Sequence, residues 1–158
     1  MNTYFLSLGS NLGDRRLHIQ FGLDRLKSAG ILGRVSSLHE TKPVGNADQP
    51  DFLNAAAEFR SHLSPENLLD TIKEIEKARG RDLSAARWTA RPLDIDILLC
   101  GGLVLNTPRL TIPHPSMMDR KFVLAPLAEI AAGVTVPGAG KTCDEIWADW
   151  QASHADRN

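Results

Sequence analysis

Residues 94 to 105 read Asp94-Ile95-Asp96-Ile97-Leu98-Leu99-Cys100-Gly101-Gly102-Leu103-Val104-Leu105. Alternation through Leu99 predicts a strand, and the two glycines predict a hairpin turn into Leu103-Val104-Leu105. Upstream, Ser64-Pro65-Glu66 reads as a helix start, with a capping hydroxyl followed by proline at the first helical position. Leu68, Leu69, Ile72 and Ile75 then give that helix one apolar face, and Gly80 ends it. Before it lie two predicted strands, Val35 to Thr41 and Phe52 to Arg60, joined by a turn-rich stretch over 42–51. Nearest the start, Thr3 to Leu8 predicts a strand, and Asp14 caps a helix carrying Ile19, Leu23, Leu26 and Ala29 that stops at Gly30.

The order strand, helix, strand, strand, helix, strand is the split βαβ pattern. It predicts an α+β, ferredoxin-like βαββαβ sandwich in which right-handed crossovers set both helices on one face of an antiparallel sheet. The other face is open or covered by the remaining chain. Added to it are the hairpin strand after Gly102 and a C-terminal helix, for which Thr142 and Glu145 supply a capping box and Ile146, Trp147 and Trp150 an apolar face. Residues 107–141 are punctuated by proline and glycine, and 151–158 read as a frayed tail. The 158 residues predict a single catalytic domain over 1–158.

Eighteen Lys+Arg against nineteen Asp+Glu leave a formal charge of −1, which argues against a polybasic nucleic-acid binder and against an acidic disordered chain. Cys100 and Cys143 cannot build a disulfide framework and have no zinc-like neighbours, so they read as reduced thiols of a cytoplasmic protein. No apolar run approaches the roughly 18 residues of a membrane span, and no basic leader precedes the first strand. A soluble, untargeted chain is expected.

Gly138-Ala139-Gly140-Lys141-Thr142 imitates the end of a phosphate-binding loop, but Thr135 stands where the motif requires its first glycine. A tight turn into a capped helix is the better reading. Asp94 and Asp96 are more informative. Two apart on a strand, they face one way at about 7 Å between Cα atoms. Hard oxygen ligands so arranged suit Mg²⁺ bound jointly with substrate phosphates, and surface acids held by nearby arginines are the alternative.

The preceding stretch shifts that balance. Lys77, Arg79, Arg81, Arg87 and Arg91 face Asp82 alone, and this basic, Trp88-containing segment leads straight into the acid pair. Acids for metals beside arginines for phosphate oxygens are what a triphosphate site requires, a solvated charge run being the bland alternative. Phe52 and Asn54 share a strand face, joining an aromatic surface to an amide with both donor and acceptor, a receptor for a flat heterocycle. Singly, each fits a core or turn position equally well. His114 sits between prolines in a segment with Arg109, Arg120 and Lys121, where a structural role and a phosphate contact both stand.

GSNLGD at 9–14, PVGNADQPDFLNA at 43–55, RWTARPLDIDILL at 87–99, and the PHP segment with RKFVLAPL at 120–127 occur in this order. Together the chain resembles the 6-hydroxymethyl-7,8-dihydropterin pyrophosphokinase family over about residues 3 to 130. The resemblance implies transfer of a diphosphoryl group from ATP to the pterin's hydroxymethyl oxygen, releasing AMP, in folate biosynthesis. It implies Asp94 and Asp96 as ligands of two Mg²⁺, with Arg81 and Arg91 beside them in the catalytic set. Phe52 and Phe122 are implied to sandwich the pterin, with Thr41, Val44 and Asn54 at its edge. Glu76, Arg81, Trp88, Arg91, Ile97, Arg109, Thr111, His114 and Arg120 match positions expected around ATP, Trp88 on a loop that closes. The chain departs from the family at Thr89-Ala90, where Gly-Pro is usual, at Leu83 and Ser84, where further basic residues can occur, and at Pro115, where an aromatic can follow the histidine.

Partners are thus expected to be ATP and the pterin, with neither nucleic acid nor membrane, acting on a monomer. Two other classes share parts of the pattern. Nucleotidyl transferases and cyclases with a palm-like fold also pair aspartates on a strand. RNA-binding sheets share the topology, but the third strand lacks their aromatic signature.

Overall fold

The computed structural model describes residues 1–42, 50–80 and 92–154. Strand β1 (Asn2–Ser10) leads to α1 (Arg15–Leu26), whose N-cap Asp14 accepts a hydrogen bond from Leu17 N at 3.2 Å, and on to β2 (Ile31–Val35) and β3 (His39–Thr41). Then come β4 (Phe52–Ser61), α2 (Pro65–Ala78), capped by Ser64 as expected, and β5 (Asp94–Cys100). The chain closes with β6 (Leu105–Asn106), β7 (Thr111–Ile112), a 3-10 turn (Met117–Asp119), α3 (Lys121–Ala131), β8 (Thr135–Val136), β9 (Lys141–Thr142) and α4 (Cys143–Ser153).

The principal sheet runs β2-β4-β1-β5 with β3 also on β4, and every described pairing is antiparallel. That is the expected ferredoxin-like order once β2 and β3 are counted as one broken strand. The pleat sorts side chains between faces. Tyr4, Leu6, Leu8, Leu53, Ala55, Phe59, Ile95 and Ile97 meet Ile19, Leu23 and Leu26 of α1 and Leu68, Ile72 and Ile75 of α2 in one core. Phe5, Ala56, Leu98 and Leu99 meet Val123, Leu124, Leu127 and Ile130 of α3 and Ile146 of α4 in a second. The second sheet face is therefore covered by α3 and α4 where the carboxyl-terminal third supplies apolar residues.

Four local expectations need correction. The strand expected over 35–41 begins earlier, at Ile31, and is broken after Val35, where the Ser36 hydroxyl accepts from Ala56 N at 2.8 Å and takes a ladder donor that a strand carbonyl would otherwise meet; only His39–Thr41 of the expected range forms the next strand. The turn after Cys100 forms, with Leu103 N donating to Cys100 O at 3.0 Å, but Leu105 pairs with Ile112 and the added hairpin is β6–β7. Helix α3 lies in the stretch read only as punctuated by proline and glycine. Its buried residues keep helical spacing through Pro126, whose missing N–H is the one that would have met the Phe122 carbonyl. Finally, α4 continues through Ser153, beyond the point where a frayed tail was expected. The glycine-rich segment 138–142 is, as expected, a tight turn, the β8–β9 hairpin, running into the Thr142–Glu145 capping box.

Candidate functional site

The register aligns one residue from each of four strands: His39 faces Asn54, Asn54 faces Gly9, and Gly9 faces Asp94. One pleat along, Ser7 faces both Ala56 and Asp96. With strands about 4.8 Å apart, Asn54 and Asp94 stand roughly 10 Å apart at the backbone on the same face. The amide and the carboxylates, far apart in sequence, thus form one row.

Asn54 is buried, and its Nδ2 donates to Thr41 Oγ1 at 3.0 Å, while Thr41 pairs in register with Phe52. A Cβ on Gly9 would stand 2.9 Å from Asn54 Oδ1, so the amide lies directly over a residue that must have no side chain. Phe52 is half-buried on this face, and Phe122 opens α3, which covers the face further along. The Arg120 guanidinium lies over the Phe122 ring at 5.5 Å from its centroid.

At the other end of the row, the Asp96 carboxyl is pushed up to about 7, first by burial, then by the carboxylates of Asp94 and Glu76, with Lys73 and Arg120 opposing. Its side chain nonetheless keeps 45% of its surface open, so a ligand can reach it. Glu76 is wholly buried on α2, where Oε2 accepts from Ile95 N at 2.8 Å and Oε1 lies 3.5 Å from Lys73 Nζ. It supports the start of β5 from beneath and adds negative charge there.

His114 Nε2 lies 3.9 Å from Asp96 Oδ1, and its Nδ1 accepts from Ser116 N at 3.2 Å. The proton therefore sits on Nε2, and burial followed by the Arg120 charge lowers the imidazole's pKa, leaving it neutral at pH 7. His114 N also donates to Leu98 O at 3.0 Å, stitching the loop to β5.

The remaining expected residues fall elsewhere. Ile97 points its side chain into the core under α1 and α2, so only its backbone can face a ligand. Thr111 pairs with Asn106 in the small hairpin. Arg109 is half-exposed and bridges to Glu66 at 3.3 Å and Asp70 at 2.5 Å on α2. Val44, Arg81, Trp88 and Arg91 lie outside the described residues. Sequence reasoning missed Lys73 and Gly9. The spacing of Lys73 from Glu76 on one helix, and the register of Gly9 with Asn54, are the signals that could have found them.

Among the described residues no cluster of three or more His, Cys, Asp or Glu side chains could hold a metal by itself. The pair Asp94 and Asp96 nevertheless fits a divalent cation whose other ligands come from a substrate. The donors are hard oxygens, and the Asp96 carboxyl is raised first by burial and then by the carboxylates of Asp94 and Glu76, both of which a bound cation would offset.

The sheet has the ferredoxin-like order and carries a carboxylate pair and a buried amide on one face, with a histidine beside them. The family model described as "7,8-dihydro-6-hydroxymethylpterin-pyrophosphokinase (HPPK)" matches residues 5–132. The chain is 42% identical over 141 residues to the 2-amino-4-hydroxy-6-hydroxymethyldihydropteridine pyrophosphokinase of Haemophilus influenzae, covering 88% of each. To the Pseudomonas aeruginosa enzyme of that name it is 44% identical over 138 residues, covering 84% of this chain and 83% of the relative. A crystal structure of Plasmodium falciparum HPPK-DHPS superposes with a TM-score of 0.80 at 16% identity, covering 99% of this chain and 45% of that one, and this likeness bears on fold alone. The chain belongs to the 6-hydroxymethyl-7,8-dihydropterin pyrophosphokinase family.

Proposed function

We infer that this chain transfers the terminal diphosphoryl group of ATP to the hydroxymethyl oxygen of 6-hydroxymethyl-7,8-dihydropterin, releasing AMP, in folate biosynthesis. In that reaction a bond forms between the hydroxymethyl oxygen and the β-phosphorus, the bond from that phosphorus to the α-phosphate bridging oxygen breaks, and the hydroxyl loses its proton. The single observation that best supports it is the register row, which runs from the Asn54 amide to the Asp94 carboxylate on one sheet face. A flat heterocycle held at the amide end points its exocyclic arm along the row toward the acids.

Within this reading Phe52 and Phe122 stack on the pterin, and Asn54, Thr41 and Val44 meet its polar edge. Asp94 and Asp96 would hold two Mg²⁺ with phosphate oxygens of ATP, and the metal supplies charge neutralisation and activation of the attacking hydroxyl. Two Mg²⁺ against ATP and two carboxylates still leave about −2, which cations of the chain must offset. Arg120, with Arg81 and Arg91, supplies that charge, and neutral His114 donates from Nε2 without adding any. Arg109, Thr111, Glu76, Ile97 and Trp88 complete the ATP side, Glu76 by supporting β5 and Ile97 through its backbone. Catalysis then rests on in-line positioning and exclusion of water, with no protein nucleophile.

No helix among the described residues is long and apolar enough to cross a membrane. Cys100 and Cys143 are buried free thiols, which supports a reducing, cytoplasmic setting. In this reading the chain is one catalytic domain acting as a monomer. Incubation with MgATP and the hydroxymethyl-dihydropterin should yield AMP and the pterin diphosphate. ADP as the nucleotide product, or pyrophosphate release without pterin, would overturn the assignment and favour a different two-metal transferase.

A further inference from the structure

The strand that carries Thr41 has only three residues and lies at a sheet margin, where among the described residues it pairs with β4 alone. A ladder so short is a weak anchor, since few backbone bonds fix it. A second anchor comes from α3. Glu129 Oε1 accepts from Ser37 N at 2.7 Å, and Oε2 accepts from Ser37 Oγ and His39 Nε2, each at 2.9 Å. Three donors on one carboxylate are charge-assisted bonds, and they hold the Glu129 carboxyl below its ordinary pKa, the Ser37 amide foremost.

These three residues are not a hydrolytic triad. Ser37 Oγ, at 3.4 Å, and Glu129 meet the same imidazole nitrogen, whereas a triad uses one nitrogen for each partner. What they do is mechanical. Phe122 opens α3 and Glu129 lies two turns further along it, about 10 Å away at 1.5 Å per residue. The same helix therefore carries one aromatic wall of the heterocycle site and grips the strand that carries its polar edge. Ser36 fastens the other side of the grip, donating from N to Ala56 O at 2.9 Å two residues from Asn54.

We propose that Glu129 is a positioning residue for the pterin, fixing β3 against α3 so that Thr41 and Asn54 meet the substrate edge at a set separation from Phe122. It rests on the pterin reading above. A residue that merely stabilises the fold affects both substrates alike, whereas this one acts on the pterin end of the row only.

The test is steady-state kinetics and pterin fluorescence titration on wild type, Glu129→Ala, Glu129→Gln and His39→Gln. In Glu129→Ala the KM and Kd for the pterin should rise about tenfold while kcat and the KM for ATP stay within about twofold. Glu129→Gln keeps an oxygen for the Ser37 amide but not one for Ser37 Oγ and His39 as well, and should recover part of the loss. Equal rises for both substrates, or an unchanged pterin KM, overturn the proposal. Should Glu129→Ala not fold, the same split is read in Glu129→Gln and His39→Gln, where a rise of about threefold for the pterin alone is expected and its absence refutes the role. Wild type run beside them separates the failures, because a wild type that makes no AMP sinks the assigned reaction, and an active one with unsplit variants sinks only the Glu129 role.

Discussion

Gly9→Ala is the sharpest perturbation of the register row, because it adds one methyl group beneath the Asn54 amide. The new Cβ would stand 2.9 Å from Asn54 Oδ1, with Leu53 O at 3.8 Å and Phe52 Cδ1 at 3.9 Å, so the amide alone must move. Ordinary contact begins at 3.4 Å, so the amide must retreat by about 0.5 Å. Its other end is tied to Thr41 Oγ1 at 3.0 Å, and the group is buried, so the retreat strains or breaks that bond. Disturbing a buried amide's bonding costs roughly 1–3 kcal/mol, and if the same amide reads the pterin edge, affinity falls between about fivefold and 150-fold. The assay is a pterin titration followed by fluorescence, with ATP affinity measured in parallel. Gly22→Ala is the control. Its Cβ would crowd Leu93, Leu8 and Ile95 at 3.1, 3.2 and 3.4 Å in the α1–α2 core, on the other face of the sheet. It should alter stability and leave pterin affinity alone. Wild-type pterin affinity in Gly9→Ala, or an equal loss in Gly22→Ala, would refute the reasoning.

Asp96→Asn should abolish turnover with a native far-UV spectrum, and an active variant removes the metal assignment. Because folding raises the Asp96 pKa from 3.8 to about 7, its contribution to stability is fully present below the unfolded value and is lost as pH rises toward 7 and above. Thermal melts of the metal-free protein should therefore show a stability component that declines between about pH 4 and 8, is absent in Asp96→Asn, and is relieved by MgATP; a pH-independent difference between the two proteins contradicts this. Glu76→Gln keeps an acceptor for Ile95 N but removes a carboxylate charge beside Asp96, so proton competition with Mg²⁺, read by titration calorimetry, should move to lower pH. Ser64→Ala removes the cap that accepts from Asn67 N at 3.2 Å and should cost about 1 kcal/mol in denaturant melts without altering KM for either substrate.

Features written within a few residues were legible. Asp14, Ser64-Pro65 and Thr142 with Glu145 start their helices as expected, since a cap is a contact between neighbours in the chain. The same-face reading of Asp94 and Asp96, and of Phe52 and Asn54, needed only the strand period. What failed depended on which residues the chain pairs and packs against, beyond the reach of a spacing rule. Ser36 breaks the second strand because it meets Ala56, and Leu105 leaves the main sheet because its partner is Ile112. Helix α3 was hidden by Pro126, whose cost is offset by burying Val123, Leu124, Leu127 and Ile130 against the sheet. Glu129 lies 92 positions from Ser37, and no spacing rule connects them.

The formal charge of −1 conceals a local conflict that explains why the acid pair belongs to a ligand. Three carboxylates, Asp94, Asp96 and Glu76, converge at the start of β5. Glu76 must stay because Ile95 N, in a buried strand, needs an acceptor, and a buried unsatisfied N–H costs roughly 1–3 kcal/mol. Lys73 is itself nearly half-exposed and bridges Glu76 at 3.5 Å, so solvent weakens its pull on Asp96. Arg120 opposes the shift, yet burial, with the two neighbouring carboxylates adding to it, still pushes the Asp96 carboxyl up to about 7. The β1–β5 ladder uses only the backbone of Asp96, so a neutral residue there would keep the strand pairing. Keeping the acid therefore makes sense if a cation-bearing ligand arrives to relieve it, and the neutral, Nε2-protonated His114 at 3.9 Å leaves that role open by adding no competing positive charge.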